Sequence, residues 1–252
     1  MAIAREWDGA TYDRVSAPME AMGLEVLGRL ELHGDETVVD AGCGSGRITA
    51  ALLDRLPRGR VMGIDGAPSM IEAARARLGE RANLELRVAD LCELQLGERA
   101  DAVFSTATFH WIKDHAGLFA RMRQALRDGG QFVAQCGGQG NIRVVREAGV
   151  AAGQLEPFAP YLAGWEGPWR YAAPEETEEL LRGAGFASVR CWLEPRPVTT
   201  DDPTTYYRNI IMGAHLGRLP DELHDQFLDA VFARLEEPAV VPYVRLNIDA
   251  VA

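Results

Sequence analysis

Short apolar runs alternate with amphipathic segments from residue 37 to about residue 138, and this alternation is the feature that most restricts the fold. The runs TVVDAG, GRVMGID, NLELRVAD, DAVFSTA and GGQFVAQCGG have the length and composition of strands. The segments RITAALLDRL, APSMIEAARARLG and AGLFARMRQAL have the pattern of helices. Strands that alternate with helices through short loops predict an α/β fold, a doubly wound Rossmann-like sheet with helices on both faces.

The second half of the chain departs from this rhythm. Residues 139–171 are rich in small, aromatic and proline residues, whereas residues 203–237 return to a helical pattern. Between them PEETEELLRGAGF predicts a helix and SVRCWLEPR a strand, and the closing VVPYVRLNIDAV alternates like an antiparallel strand with two different faces. We therefore predict a single domain over residues 1–252. Its core comprises about residues 30–138, 174–196 and 240–252, with helical cap insertions at about 139–171 and 203–237.

Charge and apolar patterning exclude several classes of protein. Lysine and arginine total 26 against 37 acidic residues, a formal net charge of −11, whereas proteins that bind nucleic-acid phosphates or anionic membranes have basic surfaces. No run approaches the roughly 20 apolar residues of a membrane-spanning helix, and the charged start MAIAREWD is not expected to be a secretory signal. The predicted partner is a small molecule, not a nucleic acid or a membrane.

The cysteines and histidines predict reduced thiols and no metal site. The four cysteines lie far apart and form no Cys-x-x-Cys pair, a spacing that suits neither a zinc site nor a disulfide framework. The five histidines form no His-Glu-x-x-His pattern. We therefore expect a cytoplasmic protein without a bound metal.

The glycine-rich stretch VVDAGCGSGRIT joins the first predicted strand to the first predicted helix. Ligands of open parallel sheets bind beyond the carboxyl ends of the strands, and Gly42, Gly44 and Gly46 would let the backbone approach such a ligand closely. Their spacing differs from the Gly-x-Gly-x-x-Gly of dinucleotide sites, and no Gly-Lys-Ser or Gly-Lys-Thr follows. The stretch therefore disfavours both a nicotinamide-dependent dehydrogenase and a Walker-type phosphate loop.

Three acidic residues stand at the ends of three successive predicted strands. Asp40 precedes the first glycine, where a carboxylate would repel a pyrophosphate and suit a cationic ligand. Asp65 ends the second strand, where it can accept both hydroxyls of a ribose, and Asp90 ends the third, where it can accept a hydrogen bond from an adenine amine. With the glycine turn, these acids predict a cationic cofactor that lacks phosphate.

In combination, VVDAGCGSG, GIDGAPSM, VADL and LRDGG resemble the motif series of class I S-adenosylmethionine-dependent methyltransferases over about residues 37–138. One departure is Asp128 in LRDGG, where many members have proline. The resemblance implies a seven-stranded, mostly parallel sheet with an antiparallel last strand, and S-adenosyl-L-methionine as the cofactor. The segments TYDRVS, TATFHWI and YVRLNIDAV are most similar to the trans-aconitate methyltransferase-like group and, through it, to methyltransferases that esterify small carboxylic acids.

The resemblance also implies a role for each part of the cofactor site. Asp40 and the backbone of the glycine turn would hold the amino-acid part of the cofactor, and Asp65 would hold the ribose. Asp90 and Leu91 would bind the adenine edge, Met70 would pack near the adenine, and two N-terminal aromatic residues would form a lid. The predicted cofactor residues are Trp7, Tyr12, Asp40, Gly42, Cys43, Gly44, Gly46, Asp65, Gly66, Met70, Ala89, Asp90, Leu91, Thr106 and Ala107.

The segment STATFHWIKDH follows the fourth predicted strand. The resemblance implies that this loop lies beside the reactive methyl group. His110 is a candidate general base, substrate hydrogen-bond partner or packing residue. Trp111 either lines the methyl-transfer chamber, the space beside the reactive methyl group, or anchors the loop onto the core. We call this space the chamber. Arginines of the second half, among them Arg170, could orient an acid by bidentate pairing. The predicted substrate residues are Tyr12, His110, Trp111, Arg143, Trp169, Tyr171, Tyr206, Arg208 and Arg245, with His110 as the catalytic candidate.

We therefore predict S-adenosylmethionine-dependent methylation of a small molecule, with a carboxylate oxygen as the favoured acceptor. A carboxyl group with a pKa near ~4 is ionised at neutral pH and needs no base, whereas a phenol or an ammonium would make His110 more important. Methylation of a phenol, an amine or a carbon centre, and a non-catalytic cofactor-binding module, are the alternatives.

Overall fold

The structure is a computed structural model that describes residues 17–252, so the predicted lid residues Trp7 and Tyr12 lie outside the described range. In the first half, helices and strands follow one another as predicted. In chain order the elements are α1 (Ala17–Leu27), β1 (Thr37–Ala41), α2 (Arg47–Arg55), β2 (Arg60–Asp65), α3 (Pro68–Leu78), β3 (Leu84–Val88), β4 (Ala100–Thr106), α4 (His115–Ala125) and β5 (Leu126–Gly137).

The second half contains shorter elements and two further strands of the main sheet. These elements are α5 (Arg143–Gly153), α6 (Ala159–Leu162), α7 (Pro174–Gly183), β6 (Ser188–Pro195), β7 (Val198–Thr199), α8 (Pro203–Tyr206), α9 (Gly213–Leu216), α10 (His224–Phe232), β8 (Val240–Val241) and β9 (Val244–Val251).

Seven strands form one sheet in the order β3-β2-β1-β4-β5-β9-β6. The five strands of the first half pair in parallel, and β9 pairs antiparallel with both β5 and β6. This order confirms the predicted Rossmann-like, mostly parallel sheet with an antiparallel last strand. The chain moves outward from β1 to β3 and then returns to place β4 on the other side of β1. The carboxyl ends of β1 and β4 therefore border the crevice in which ligands of such sheets bind.

Local sequence explains where the helices of the first half begin and end. Helix α2 buries Thr49, Leu52 and Leu53 on one face, as its apolar spacing predicts. Helix α3 begins at Pro68, whose missing N–H costs nothing in the first turn, and it ends before Gly79, which has a φ of 65°. The first turn of each helix thus follows the carboxyl end of a strand, β1 for α2 and β2 for α3.

The predicted helical stretch 203–237 is not one continuous helix. Apolar spacing by four residues is present, but Pro220 lacks the N–H that an uninterrupted helix needs. The chain instead forms several short pieces whose buried hydrophobic residues join one apolar cluster of the cap. Besides α8, α9 and α10, these pieces are a π-helical turn at Tyr207–Ile211 and a 3-10 turn at Asp221–Leu223.

Three apolar clusters organise the interior. Two of them include strand residues of the main sheet, one around Phe119 and Phe132 and the other around Leu52 and Phe104. The third is formed mainly by α5, α6, the 206–219 region and α10, and we call these elements the cap. The cap cluster also includes Tyr243, which directly precedes β9. The cap therefore lies next to the end of the sheet at which β9 begins.

Candidate active site

The glycine turn connects β1 to α2 at the point where the strand order reverses. Gly42, Gly44 and Gly46 have positive φ angles of 83°, 55° and 79°, a region that glycine adopts without steric cost. The N–H groups of Gly42 and Cys43 donate to the Ile64 carbonyl at 2.7 and 3.0 Å. These bonds tie the turn to the end of β2 and leave its outer backbone free to meet a ligand.

The three glycines serve different purposes. A Cβ atom on Gly42 would lie 2.1 Å from Thr108 Oγ1, and one on Gly46 would lie 2.9 Å from Leu78 Cδ1, so both positions are required by packing inside the protein. A Cβ atom on Gly44 would have no heavy atom within 4 Å. Gly44 therefore contributes an open stretch of backbone at the site, which is what close approach of a ligand needs.

Asp65 ends β2, and its carboxylate is held by the backbone of two loops. Its Oδ2 accepts a hydrogen bond from the Gly44 N–H at 3.0 Å, and its Oδ1 accepts one from the Ala67 N–H at 2.8 Å. Burial raises the pKa of this carboxyl, while the backbone hydrogen bonds oppose the rise. Each oxygen retains a second lone pair, so the carboxylate can accept from two vicinal hydroxyls while it orients the glycine turn.

Asp40 is buried in β1 with only 3% of its surface exposed. Its Oδ2 accepts a hydrogen bond from Thr49 Oγ1 at 2.7 Å. Burial raises the pKa of Asp40 to about 7; the Thr49 hydrogen bond opposes this rise and the Asp65 charge adds to it. Within the described part of the chain Asp40 has no basic partner. A carboxylate buried in this way is stabilised in its ionised form by a bound cation.

Asp90 and its neighbours lie at the same edge, beyond β3. Asp90 is exposed, and its Oδ1 accepts a hydrogen bond from the Cys92 N–H at 2.8 Å, which caps a short 3-10 turn. The Ala89 N–H donates to the Asp65 carbonyl at 3.0 Å, which holds the two strand ends together. Leu91 is 5% exposed and packs into a sheet cluster. The structure thus brings Asp90 and Ala89 beside Asp65.

Gly66 and Met70 occupy the loop and helix that follow β2. Gly66 is exposed immediately after Asp65, whereas Met70 is buried in the first turn of α3. Both positions lie on the Asp65 side of the crevice, where the resemblance places the nucleoside part of the cofactor. Contact of Gly66 and Met70 with the cofactor stays a prediction.

Strand β4 ends at Thr106, and the chain turns sharply at the next residue. Ala107 has a φ of 55°, a left-handed conformation that is uncommon for a residue with a side chain, and its N–H donates to the Gln135 carbonyl at 2.8 Å. Thr106 and Ala107 line a cleft together with Asp40 and the glycine turn. Helix α1 contributes Met19 to the same cleft. The cleft is the candidate position for the reactive end of the cofactor.

His110 lies in the 3-10 turn that follows this bend and is 8% exposed. Its Nδ1 accepts a hydrogen bond from the Gly137 N–H at 3.2 Å, which assigns the ring proton to Nε2. Burial lowers the pKa of His110 to about 3, with further lowering by the charge of Arg245 and by His115. The imidazole is therefore neutral at pH 7 and can donate a hydrogen bond through Nε2, but it is a weak base.

Trp111, Trp169 and Tyr171 form an aromatic wall next to His110. The His110 ring centroid lies 5.3 Å from that of Trp111 and 5.9 Å from that of Tyr171. Trp169 lies 5.8 Å from Trp111 and is stacked on Tyr171 at 6.1 Å. A Cβ atom on Gly137 would lie 2.6 Å from the Tyr171 ring, so this glycine allows the wall to reach the end of β5. The structure brings these four predicted substrate residues together.

Arg245 lies opposite Gly137 in the pairing of β5 with β9 and is 4% exposed. Its Nη2 lies 2.8 Å from Met19 Sδ, a weak acceptor, and its guanidinium carbon lies 4.5 Å from the centroid of the Tyr243 ring. Its Nε has no hydrogen-bond partner, and it forms no ion pair within residues 17–252. A buried guanidinium without a carboxylate partner is costly, so this position suits an anionic ligand.

Arg146 is a second arginine of this region, and the sequence analysis missed it. It lies on α5 with its guanidinium carbon 5.4 Å from the centroid of the Tyr171 ring. Its Nε is buried without a partner, and the described residues provide no ion pair for it. The sequence pattern that could have identified Arg146 is its position on the helix. Gly149 follows one turn later and Gly153 two turns later, so a charged side chain lies on a helix face of small residues.

Two predicted substrate arginines are engaged elsewhere. Arg143 pairs with Glu147 at 3.3 Å on an exposed face of α5, and Arg208 pairs with Asp225. Because an acidic partner satisfies each guanidinium, neither is an unpaired cation of the kind found at Arg245. The structure does not bring Arg143 or Arg208 into contact with the aromatic wall in the described range.

Arg170 and Tyr206 support the site from outside, whereas Cys43 is part of the glycine turn that lines the cleft. The Arg170 side chain pairs with Glu176 and its backbone N–H donates to the His110 carbonyl at 2.8 Å. Tyr206 is 2% exposed, and its hydroxyl lies 3.0 Å from that of Tyr243, the residue whose ring faces Arg245. The Cys43 thiol is buried, and burial followed by nearby acidic charge raises its pKa well above the ordinary value, so it is not a reactive thiolate.

Within residues 17–252, no group of three or more His, Cys, Asp or Glu side chains lies close enough together to hold a metal ion. Across the same range, no helix has both the length and the apolar character to cross a membrane. All four cysteines are free thiols.

The chain is similar in sequence to methyltransferases whose names state what they act on, trans-aconitate and malonyl-[acyl-carrier protein]. The methyltransferase domain family matches residues 39–134. A trans-aconitate 2-methyltransferase of Methylobacterium nodulans is 30% identical over 211 residues, which cover 82% of this chain and 75% of the relative. A malonyl-[acyl-carrier protein] O-methyltransferase of Acetivibrio thermocellus is 38% identical over 121 residues, 47% of this chain and 42% of the relative. The chain spans about half the length of the first trans-aconitate 2-methyltransferases that it matches.

The fold is also that of solved methyltransferases. Phosphoethanolamine N-methyltransferase 2 of Haemonchus contortus, solved in complex with S-adenosyl-L-methionine, superposes with a TM-score of 0.61 at 19% identity, covering 96% of this chain and 56% of that one. An identity this low supports the fold alone. The similarity to the Methylobacterium nodulans protein extends over three quarters of that relative. The chain therefore belongs to the class I S-adenosylmethionine-dependent methyltransferases, in the trans-aconitate methyltransferase-like group, and its cofactor is S-adenosyl-L-methionine.

Proposed function

We propose that the protein methylates a carboxylate oxygen of a small organic acid. The observation that carries this proposal is Arg245, a buried guanidinium without an acidic partner in the described chain, next to the His110 loop. An anionic substrate would supply the missing charge. The relatives' names support the same class of acceptor, since trans-aconitate and the malonyl group are carboxylic acids.

The residues at the crevice fit S-adenosyl-L-methionine. When bound, this cofactor would supply a methyl group on a positively charged sulfonium, from which the neutral thioether of S-adenosylhomocysteine is a good leaving group. Asp40 offers a buried carboxylate for the ammonium of the amino-acid part, Gly44 an open backbone, and Asp65 two oxygens for the ribose hydroxyls. Each assignment uses a group whose bonding capacity is incompletely used within the protein.

The proposed reaction needs binding and orientation more than acid–base chemistry. A carboxylate is ionised at neutral pH, so it attacks with its own lone pair and no proton has to be removed. Arg245 would hold one carboxylate oxygen and direct the other toward the cleft at Thr106 and Ala107. The Nε2–H of His110 can donate to the same carboxylate, and the aromatic wall would exclude water from the chamber.

The same geometry disfavours other acceptors. An ammonium substrate would be repelled by Arg245 and Arg146, which have no acidic partners in the described chain. A phenol would need a general base, and His110 has a pKa of about 3 because of its burial and the Arg245 charge.

The proposal also includes a small-molecule acceptor and a cytoplasmic location. The four free thiols support the location, because thiols stay reduced in the cytoplasm.

Labelled methyl transfer to matched pairs of acceptors tests the proposal. Each pair consists of an organic acid and its primary amide, which has the same shape without the charge. Phenols and amines of similar size complete the panel. We expect label in the acids and none in their amides, phenols or amines. Transfer to amines or phenols with none to acids would contradict carboxylate methylation.

The protonation of Asp40 predicts a pH dependence of cofactor binding. The free protein holds a proton on this carboxyl below pH 7, because its pKa is about 7, and a bound ammonium favours the ionised form. Affinity for S-adenosylhomocysteine should therefore rise about tenfold between about pH 6 and pH 8, with proton release on binding near neutrality. Calorimetry in buffers of different ionisation enthalpy measures both quantities.

Two variants serve as controls for this titration. Asp40→Asn should bind S-adenosylhomocysteine more weakly at pH 8 and show a flat pH profile. Asp54→Asn, which changes an exposed acid of α2, should keep the wild-type profile. A wild-type affinity that does not change with pH would show that Asp40 does not meet the ammonium group.

His110 is expected to act as a hydrogen-bond donor rather than a base. With saturating cofactor, kcat/KM for an acid should show no rising limb near pH 6.5, because the His110 pKa is about 3. His110→Ala should lose about tenfold in kcat/KM, the value of one hydrogen bond to a charged group, and His110→Gln should recover part of the loss. Steady-state kinetics across pH provides the measurement. A rising limb that disappears in His110→Ala would assign a base role instead.

A further inference from the structure

His215 of α9 is a buried side chain that the reaction described above does not use. It is 2% exposed, and neither Nδ1 nor Nε2 has a hydrogen-bond partner among residues 17–252. Buried polar groups in proteins are nearly always hydrogen-bonded, since leaving them unpaired costs stability. Two unpaired nitrogens on one ring are therefore a feature that a ligand would explain.

The surroundings of His215 are apolar. Its ring centroid lies 4.8 Å from that of Trp165, 5.8 Å from that of Trp169 and 5.6 Å from that of Phe227, on which it stacks. Burial lowers the pKa of His215 to about 4, and the nearby Arg146 charge lowers it further. The ring is thus neutral, with one N–H donor and one lone-pair acceptor directed into an aromatic enclosure.

Helix α5 brings a third unpaired nitrogen to the same region. A Cβ atom on Gly149 would lie 3.2 Å from His215 Nε2, so this glycine lets the imidazole approach the helix. Arg146 is one turn earlier on α5, and its Nε is also buried without a partner. Arg146 and His215 are therefore two unpaired polar side chains of the cap that lie near each other, and both can donate to an oxygen atom.

The aromatic wall lies between this region and the turn that carries His110. Trp169 lies 5.8 Å from His215 and also 5.8 Å from Trp111. Tyr171, on which Trp169 stacks, has both the Arg146 guanidinium and the His110 ring next to it. One layer of rings thus lies between His215 and His110, so a substrate that extends along this layer from the proposed carboxylate site would approach His215.

We propose that His215 determines substrate specificity by hydrogen-bonding a neutral oxygen group, a hydroxyl or a carbonyl, on the part of the substrate remote from the methylated carboxylate. This inference rests on the proposed function. A hydroxyl can donate to one nitrogen of the ring and accept from Arg146, whereas an all-hydrocarbon tail would leave both side chains unpaired. A site built to pair a hydroxyl strongly rejects the analogue that lacks it.

The test compares hydroxy acids of four to eight carbons with the same acids lacking the hydroxyl, in wild type, His215→Phe and His215→Gln. Phenylalanine keeps the ring stack on Phe227 without polar atoms, and glutamine keeps a donor and an acceptor. We expect wild type to prefer one or more hydroxy acids by at least about tenfold in kcat/KM. His215→Phe should reduce this preference to about threefold or less, by losing activity toward the hydroxy acid alone, and His215→Gln should restore part of it.

Two further measurements separate this inference from folding defects and from the proposed function. S-adenosylhomocysteine affinity should be unchanged in His215→Phe, and its Tm should be equal or higher, because an unpaired polar ring is replaced by an apolar one. Calorimetric titration of each acid pair into protein saturated with S-adenosylhomocysteine reports binding without turnover. Equal preference in wild type and His215→Phe would overturn the role of His215. Selective binding of hydroxy acids without their methylation would instead overturn carboxylate methylation and leave the His215 contact standing.

Discussion

Replacing Arg245 by methionine is expected to lower kcat/KM for organic acids by at least about a hundredfold while S-adenosylhomocysteine affinity stays within about threefold of wild type. The reason is geometric. Arg245 is 4% exposed at the start of β9, where Met19 and Tyr243 hold its guanidinium in place. Methionine preserves much of the side-chain volume, which limits the effect on packing.

Two arginines provide matched comparisons for this variant. Arg143→Met removes an arginine of the cap that is paired with Glu147 on the surface, and it should leave both kcat/KM and Tm near their wild-type values. Arg245→Lys keeps the charge but not the bidentate geometry and should fall between wild type and Arg245→Met. Full activity of Arg245→Met, measured by labelled methyl transfer, would refute the proposed carboxylate contact.

Replacing Asp65 by alanine is expected to weaken S-adenosylhomocysteine binding by at least about a hundredfold. Two effects combine here. The variant loses the proposed acceptors of the ribose hydroxyls, and it also releases the Gly44 and Ala67 N–H groups that the carboxylate now holds at 3.0 and 2.8 Å. Isothermal calorimetry at pH 8, where Asp40 is ionised, gives the affinity directly.

A control on the neighbouring helix tests whether the loss is specific. Asp54 is exposed on α2 and has no ion pair with a described residue, so Asp54→Ala should bind S-adenosylhomocysteine like wild type. The Tm of Asp65→Ala should fall only slightly, because the strand β2 retains its pairings with β1 and β3. The expected loss is therefore in S-adenosylhomocysteine affinity and not in folding. Wild-type affinity in Asp65→Ala would place the ribose elsewhere.

The placement of the predicted cofactor residues in the fold follows from sequence because these residues stand at strand ends. Parallel strands end at one edge of the sheet, so Asp40, Asp65 and Asp90 had to converge once the alternation of strands and helices was recognised. The antiparallel β9 was also predictable, since its side chains alternate between two environments. These parts follow from periodicity and from the direction of each strand.

The substrate half could be predicted only in part, because it is assembled from segments far apart in sequence. Arg245 and His110 meet through the pairing of β5 with β9, which joins residues more than a hundred positions apart. Arg143 and Arg146 are three residues apart on one helix, yet the first has an acidic partner and the second does not. Only the tertiary packing of α5 decides which arginine places its guanidinium beside Tyr171.

The unpaired groups of the site share a physical pattern. Asp40, Arg245 and His215 are each buried with unused hydrogen-bonding or charge capacity, and each is costly to stability in the free protein. They lie at successive positions from the glycine turn through the chamber to the cap. A cationic cofactor, a carboxylate and a remote neutral oxygen would satisfy them in that order. Ligands are therefore expected to raise the Tm of the protein substantially.

The most direct test of the account is the chemical form of the transferred methyl group. The protein is incubated with an organic acid and S-adenosylmethionine labelled in its methyl group, and the purified product is treated with mild alkali. An ester of the acid would release its label as volatile methanol, which is the result we predict. Label that stays with the acid after alkali would show that the methyl group was transferred to another atom and would contradict carboxylate methylation.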